Sequence, residues 1–277
     1  MAIWKPSGMD MASVCRQKPS GSADACRSVS GADLLCALAL AVSVALAPAG
    51  PARAQSPVPG TFTPPEGCTG FMTVQSRGCR VSNYYRCEAD PAGHQWRADF
   101  DQEGIFFVSR TDPEAQWVES YEFNPTVRQT LDPAPRDPAS FSELLSAGND
   151  TFDFNLTEDT GEQSRVTGFD GLTGVEVVID GIPLKQTQFE FRETLPDGTP
   201  LRSARGNEFI HPEWRLFFSG PSEWDGAEGP LPVDGSPRQF VFPGEPGFFT
   251  TEPIFDCDAI LSQDIGGARL LPAAVRP

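Results

Sequence analysis

The chain has 277 residues, 39% hydrophobic and 21% charged, which is too apolar for a disordered tail and too polar for a bundle of membrane helices. Its 26 Gly and 27 Pro mark a fold rich in tight turns and exclude coiled coils, collagen and helical bundles. With 38 acidic residues against 21 basic ones the formal net charge is −17, a surface that repels phosphate backbones and anionic membranes, so no nucleic-acid partner is expected.

Residues 1–31 are polar and read as an N-terminal extension, either disordered or upstream of the true start, with further methionines at Met9 and Met11. Residues 32–54 read as a secretory signal peptide. Its apolar run, Leu34 to Ala47, carries no charge and as a helix would span about 21 Å, short of the ~30 Å hydrocarbon core. Pro48 to Pro51 break it, and Ala52-Arg53-Ala54 offers the small side chains a signal peptidase accepts, so cleavage is expected after Ala54. The mature chain is then periplasmic or secreted and not integral to the membrane. Up to Ala54 there are five basic and three acidic residues, so 16 and 35 remain, a net of −19.

Residues 55–67 form a Pro-rich extended lead-in, residues 68–265 a single β domain, and residues 266–277 a C-terminal tail. Four cysteines remain after cleavage: Cys68, Cys79, Cys87 and Cys257. An even number in an exported chain points to two disulfides with three possible connectivities. Cys68–Cys79 with Cys87–Cys257 is the pairing expected here.

From Phe71 onward, apolar and polar residues alternate. Trp96, Ala98 and Phe100 share one strand face, while Gln95, Arg97, Asp99 and Asp101 share the other. Phe152, Phe154 and Leu156 alternate with Asp153, Asn155 and Thr157, Val177 and Ile179 follow Val175, and Phe189 and Phe191 alternate with Gln188 and Glu190. Turn residues part these runs at Asp90–Gly93, Gln102–Gly104, Thr111–Glu114, Asp170-Gly171, Asp180-Gly181 and Pro196–Gly198. One helix is expected, capped by Asp137, with Pro138 in its first turn and Gly148 at its end. Pro221 to Pro232 reads as a long irregular excursion, and Trp224 with Phe248-Phe249 as covers for one end of the core. The fold expected is all-β: an antiparallel meander of about nine or ten strands curled into a barrel or half-barrel, with one short helix. Strands of six to nine residues with charged outward faces do not suit an outer-membrane barrel.

Chemistry is sparsely signposted. Phosphate loops, dinucleotide fingerprints, nucleophile elbows and zinc helices are absent, and no cofactor is expected. Asp99, Asp101 and Glu103, with Gly104, copy the first half of a calcium loop, but Arg110 stands where a closing carboxylate is required, so a hairpin end is the better reading. His211, with Glu208 and Glu213, offers an acid–base group without an identifiable nucleophile. Phe152, Phe154, Val177, Ile179, Phe189 and Phe191 are candidates to line the concave side of the sheet. The function expected is a non-catalytic binding or structural role in the envelope, with an apolar small molecule or an envelope protein as partner. The competing reading is an envelope hydrolase built on His211 and a nearby carboxylate.

Overall fold

The computed structural model describes residues 60–226 and 229–257. The N-terminal extension, the signal peptide and the C-terminal tail expected from the sequence lie outside the described residues.

Thirteen strands form one antiparallel sheet. They are β1 (Cys68–Ser76), β2 (Arg80–Cys87), β3 (Gln95–Asp101), β4 (Gly104–Thr111), β5 (Trp117–Glu122) and β6 (Val127–Leu131), then, after a helix, β7 (Asn149–Glu158), β8 (Gln163–Ile179) and β9 (Ile182–Thr194). β10 (Pro200–His211), β11 (Leu216–Gly226), β12 (Gly229–Asp234) and β13 (Pro237–Val241) complete it. Strands β1 to β12 neighbour one another in chain order, and β13 returns to pair with β1. Only Gly235 and Ser236 join β12, on one edge, to β13, on the other. Three residue steps reach about 10 Å, so the two edges must lie close together. The meander is therefore curled, but its seam stays open because β12 and β13 form no ladder.

The count exceeds the expected nine or ten for two readable reasons. β6 is only five residues long, and its sequence, VRQTL, has too few apolar positions to show a period. β12 holds Pro230 and Pro232, which look like loop residues but are tolerated on an edge strand, where the missing N–H has no partner to lose. The expected excursion is thus the β11–β12 hairpin. Asp170-Gly171, expected as a reversal, lies inside β8, which runs on for 17 residues through an irregularity between Leu172 and Glu176. Asp170 there stands opposite Asp150 of β7, and both are buried. The reversal comes at Asp180-Gly181, where both residues take positive φ, as a two-residue hairpin turn requires.

The helix α1 (Phe141–Ala147) begins later than expected. Ser140 caps it, its hydroxyl accepting from the Glu143 N–H, and Gly148 ends it in the left-handed region. Asp137 instead bridges to Asp153 and accepts from the Thr151 hydroxyl. The helix presses Phe141 and Leu144 onto Ala115, Ile210 and Phe217.

Simple alternation breaks down at β1–β5, where both sheet faces are buried. One face of β2–β4 carries Val81, Tyr85, Ala98, Phe100 and Val108, covered by Phe62, Phe248 and Phe249 from the two ends of the domain. A C-terminal strap holds this cover in place. Phe249 N–H donates to the Thr73 hydroxyl, Asn83 Nδ2 to the Thr250 carbonyl, and Gln75 Nε2 to the Glu252 carbonyl, while Gln75 Oε1 accepts from Ile254 N–H. Cys79–Cys257 pins its end, and Cys68–Cys87 ties β1 to β2. The expected pairing is corrected by register: Cys68 and Cys87 are direct cross-strand partners, whereas Cys79 lies in the turn between their strands. Two disulfides indicate folding in an oxidising compartment.

Candidate functional site

The face of β2 and β3 opposite the strap carries charge into the interior. Arg97 Nε meets Asp99 at 3.1 Å, Ser82 donates to the same carboxylate, and Arg80 reaches across to the Ser219 hydroxyl on β11. Burial lowers the pKa of Arg80 despite the opposing charge of Asp99. Burial also works against the charge of Arg97, but Asp99, Tyr84 and Glu208 outweigh it and the net shift is upward. The Tyr84 hydroxyl is pushed up to about 12 by burial, so it stays protonated. Arg80 thereby links β2 to β11 across the interior.

Asp99 is thereby enclosed as part of an ion pair. Asp101 accepts the Glu103 N–H within the β3–β4 turn, and the Glu103 side chain is exposed. The hairpin expected there is present, and no group of three or more potential metal ligands occurs among the described residues.

His211 ends β10. Its ring stacks on Trp214 with centroids 3.7 Å apart, Nδ1 accepts from the Trp214 N–H, and burial lowers its pKa, with Glu213 opposing. Glu208 is three residues away in a regular ladder and so leaves the opposite strand face, where it is buried. Glu213 is exposed in the turn. The structure does not bring Glu208 to His211.

The candidate apolar lining divides between two places. Phe152, Phe154, Phe189 and Phe191 belong to one buried cluster with Phe107, Trp117 and Trp224, and Val177 and Ile179 pack, half-buried, on a second cluster around Leu184 and Phe240. The gap beside Phe189, Glu208 and Trp224 measures about 10 Å³, at the lower limit for one water molecule. These rings fill the interior themselves.

An open concavity lies on the other side of the same strands. Three glycines stand in or beside these strands, and Gly206 is in the wall of the concavity. A Cβ at Gly168 would stand 2.2 Å from the Glu190 carbonyl oxygen, one at Gly206 2.4 Å from that of Pro221, and one at Gly220 2.5 Å from that of Asn207. Only glycine permits such close approach between neighbouring strands, and the ladder shifts register between Gly206 and Glu208. Kinks and bulges of this kind bend a sheet, and a trough of about 740 Å³ runs across β8–β12. Phe169, Gln188, Glu190, Arg205, Asn207 and Glu223 line it, and Pro232–Asp234 of β12 form its far wall. A smaller hollow of about 90 Å³ continues it past Arg192, Ser203 and Asp225. Arg205 and Glu223 pair at 2.9 Å within the trough, both half exposed or more, and Asn207 Nδ2 donates to the Thr187 carbonyl.

No family model, curated protein or solved structure matches the chain. The trough must be read from its own residues. Sequence reasoning placed Gln188 and Glu190 on the polar face of their strand but gave them no role, and it missed Arg205, Asn207 and Glu223. The signal that could have found them is the set of glycines at Gly168, Gly206 and Gly220, each inside a stretch otherwise patterned as strand.

Proposed function

We propose that this chain is an exported, non-catalytic binding domain, processed after Ala54, whose ligand lies in the outer trough across β8–β12. The single observation that carries the reading is the contrast between the closely packed cluster around Phe152 and Phe191 and an open concavity of mixed polar and apolar lining on the outer face of the same strands. Amides, paired charges, the Phe169 and Phe189 rings and the apolar Pro232 and Val233 suit an amphipathic ligand that offers both hydrogen-bonding groups and an apolar face, bound outside the sheet rather than within it. The disulfides and the acidic surface suit a domain that works outside the cytoplasm. A hydrolase centred on His211 has less support: Glu208 leaves the opposite face of β10, and although Glu213 acts on the ring, His211 Nδ1 is taken up by the Trp214 N–H and no nucleophile is identified beside it among the described residues.

The test is hydrogen–deuterium exchange on the full chain with and without fractionated soluble envelope extract. Protection confined to β8–β12, and lost in an Arg205→Ala/Asn207→Ala double variant, is the expected result. Protection elsewhere, or equal protection in the variant, refutes the assignment.

A further inference from the structure

A second, smaller and half-open space lies apart from the trough, between β2–β5 and the start of β11. It is a slot of about 40 Å³ lined by Tyr84, Gln95, Arg97, Ser109, Trp117 and Arg215, with Phe107 and Phe217 among its walls. The volume exceeds what one water needs but falls well below the ~150 Å³ of a benzene-sized cavity. Its chemistry departs from that of the chain. In a sequence with 38 acidic and 21 basic residues, two guanidiniums and no carboxylate line it among the described residues.

Both arginines are held from outside the slot. Arg97 is anchored by Asp99 at 3.1 Å, and Arg215 by Glu114 at 2.7 Å and the Ser142 hydroxyl. An independent observation comes from Trp117, which is 7% exposed and has a buried Nε1–H with no hydrogen-bond partner. Indole is a donor only, so this group calls for an acceptor. Gln95 Oε1, the amide acceptor in the wall, already receives Arg86, and Gln95 Nε2 is committed to the Trp214 carbonyl. A water could satisfy Trp117 and donate in turn to the Ser109 or Thr111 hydroxyl oxygen; an anion would satisfy Trp117 and in addition meet the positive field of the two guanidiniums.

We propose that this slot binds a small monovalent anion of the size of chloride or formate, held by Trp117 Nε1–H and the guanidiniums of Arg97 and Arg215. The ion couples β3–β5 to β11, so its binding stabilises the folded chain.

The test uses the full mature chain in sodium gluconate, an anion too large to enter, exchanged for sodium chloride at fixed ionic strength. The melting temperature is expected to rise by several degrees, and chloride-35 resonance to broaden in proportion to protein and recover on adding bromide. Anomalous scattering from bromide-soaked crystals should place one peak within contact of Trp117 Nε1. Trp117→Phe should weaken the ion about tenfold, the loss of one charge-assisted hydrogen bond. Ser109→Val, which narrows the slot and leaves Trp117 in place, should abolish the chloride shift even if Trp117→Phe does not fold. Equal melting in both salts, no bromide peak in the slot, or an unchanged chloride response in Ser109→Val overturns the proposal. So does sulfate substituting for chloride.

Discussion

The two disulfides close chain segments of very different length, and this difference can be measured. Cys79 and Cys257 are 178 residues apart, whereas Cys68 and Cys87 are separated by 19. Loop-closure entropy grows with the logarithm of the closed segment, giving about 5 kcal/mol for the long loop and about 3 kcal/mol for the short one. The noncovalent anchors of the strap act on the folded state, and most survive in a Cys79→Ser/Cys257→Ser double variant: the Phe249 ring stays under Gly70, and the Thr73, Gln75 and Asn83 bonds need no sulfur. The variant should therefore stay folded while losing the constraint on its unfolded chain. With a urea m value of roughly 2 kcal/mol/M, the midpoint should fall by about 2.5 M, against about 1.5 M for Cys68→Ser/Cys87→Ser. Urea unfolding of the oxidised wild type and both double variants, followed by tryptophan fluorescence, gives the three midpoints. A Cys68/Cys87 loss equal to or larger than the Cys79/Cys257 loss would refute the ranking. It would mean that the strap is held by its hydrogen bonds even in the unfolded ensemble.

Other perturbations have defined outcomes. Gly70→Ala places a methyl 2.2 Å from the Phe249 ring and should cost about 1–3 kcal/mol in urea unfolding, with faster amide exchange along Phe249–Ile254. Asp150 is pushed up to about 6 by burial, with the nearby Asp170 adding to the shift. Its folded pKa thus exceeds the unfolded value, so the stability it contributes is present below about 4 and lost as pH rises through 6. Asp150→Asn can still accept the Ser140 N–H, and it should flatten that fall and raise stability above pH 7 by about 1–2 kcal/mol, checked by melting at pH 4, 6 and 8. Arg205→Ala, an exposed change, should leave the unfolding free energy from urea titration within about 0.5 kcal/mol of wild type. A larger loss would mean that the Arg205–Glu223 pair serves the fold rather than a ligand.

How far the sequence could be read depended on whether a strand had one buried face or two. β7 was legible because Phe152, Phe154 and Leu156 point inward while Asp153 and Thr157 point out. β3 misled, because Trp96, Ala98 and Phe100 are covered by the strap while Asp99, on the supposed wet face, is buried with Arg97. Period 2 assigns residues to faces, but it does not say which face water reaches once a distant segment folds over one of them. The cysteine pairing was recoverable in principle, since a tight turn near Gly78 sets Cys68 opposite Cys87. The C-terminal partner of Cys79 was not, because the strap's path rests on hydrogen bonds between residues some 170–180 positions apart.

The trough and the slot follow from one property of the sheet. A long meander has enough aromatic side chains to fill its own interior, here Phe152, Phe191, Trp117 and Trp224 among others, and once filled it leaves little room for a ligand. Space for binding must then arise where the sheet departs from regular curvature, or where a polar group breaks the apolar packing. Gly206, in the trough wall and at the register shift before Glu208, supplies the first condition. Arg97 supplies the second: a guanidinium held by Asp99 beside the Phe107 ring, 5.6 Å from its centroid, keeps charge among aromatics and leaves the slot at its side. Replacing Gly206 by Ala should therefore alter the trough and leave the slot intact. Replacing Arg97 should do the reverse, so the two sites can be lost one at a time.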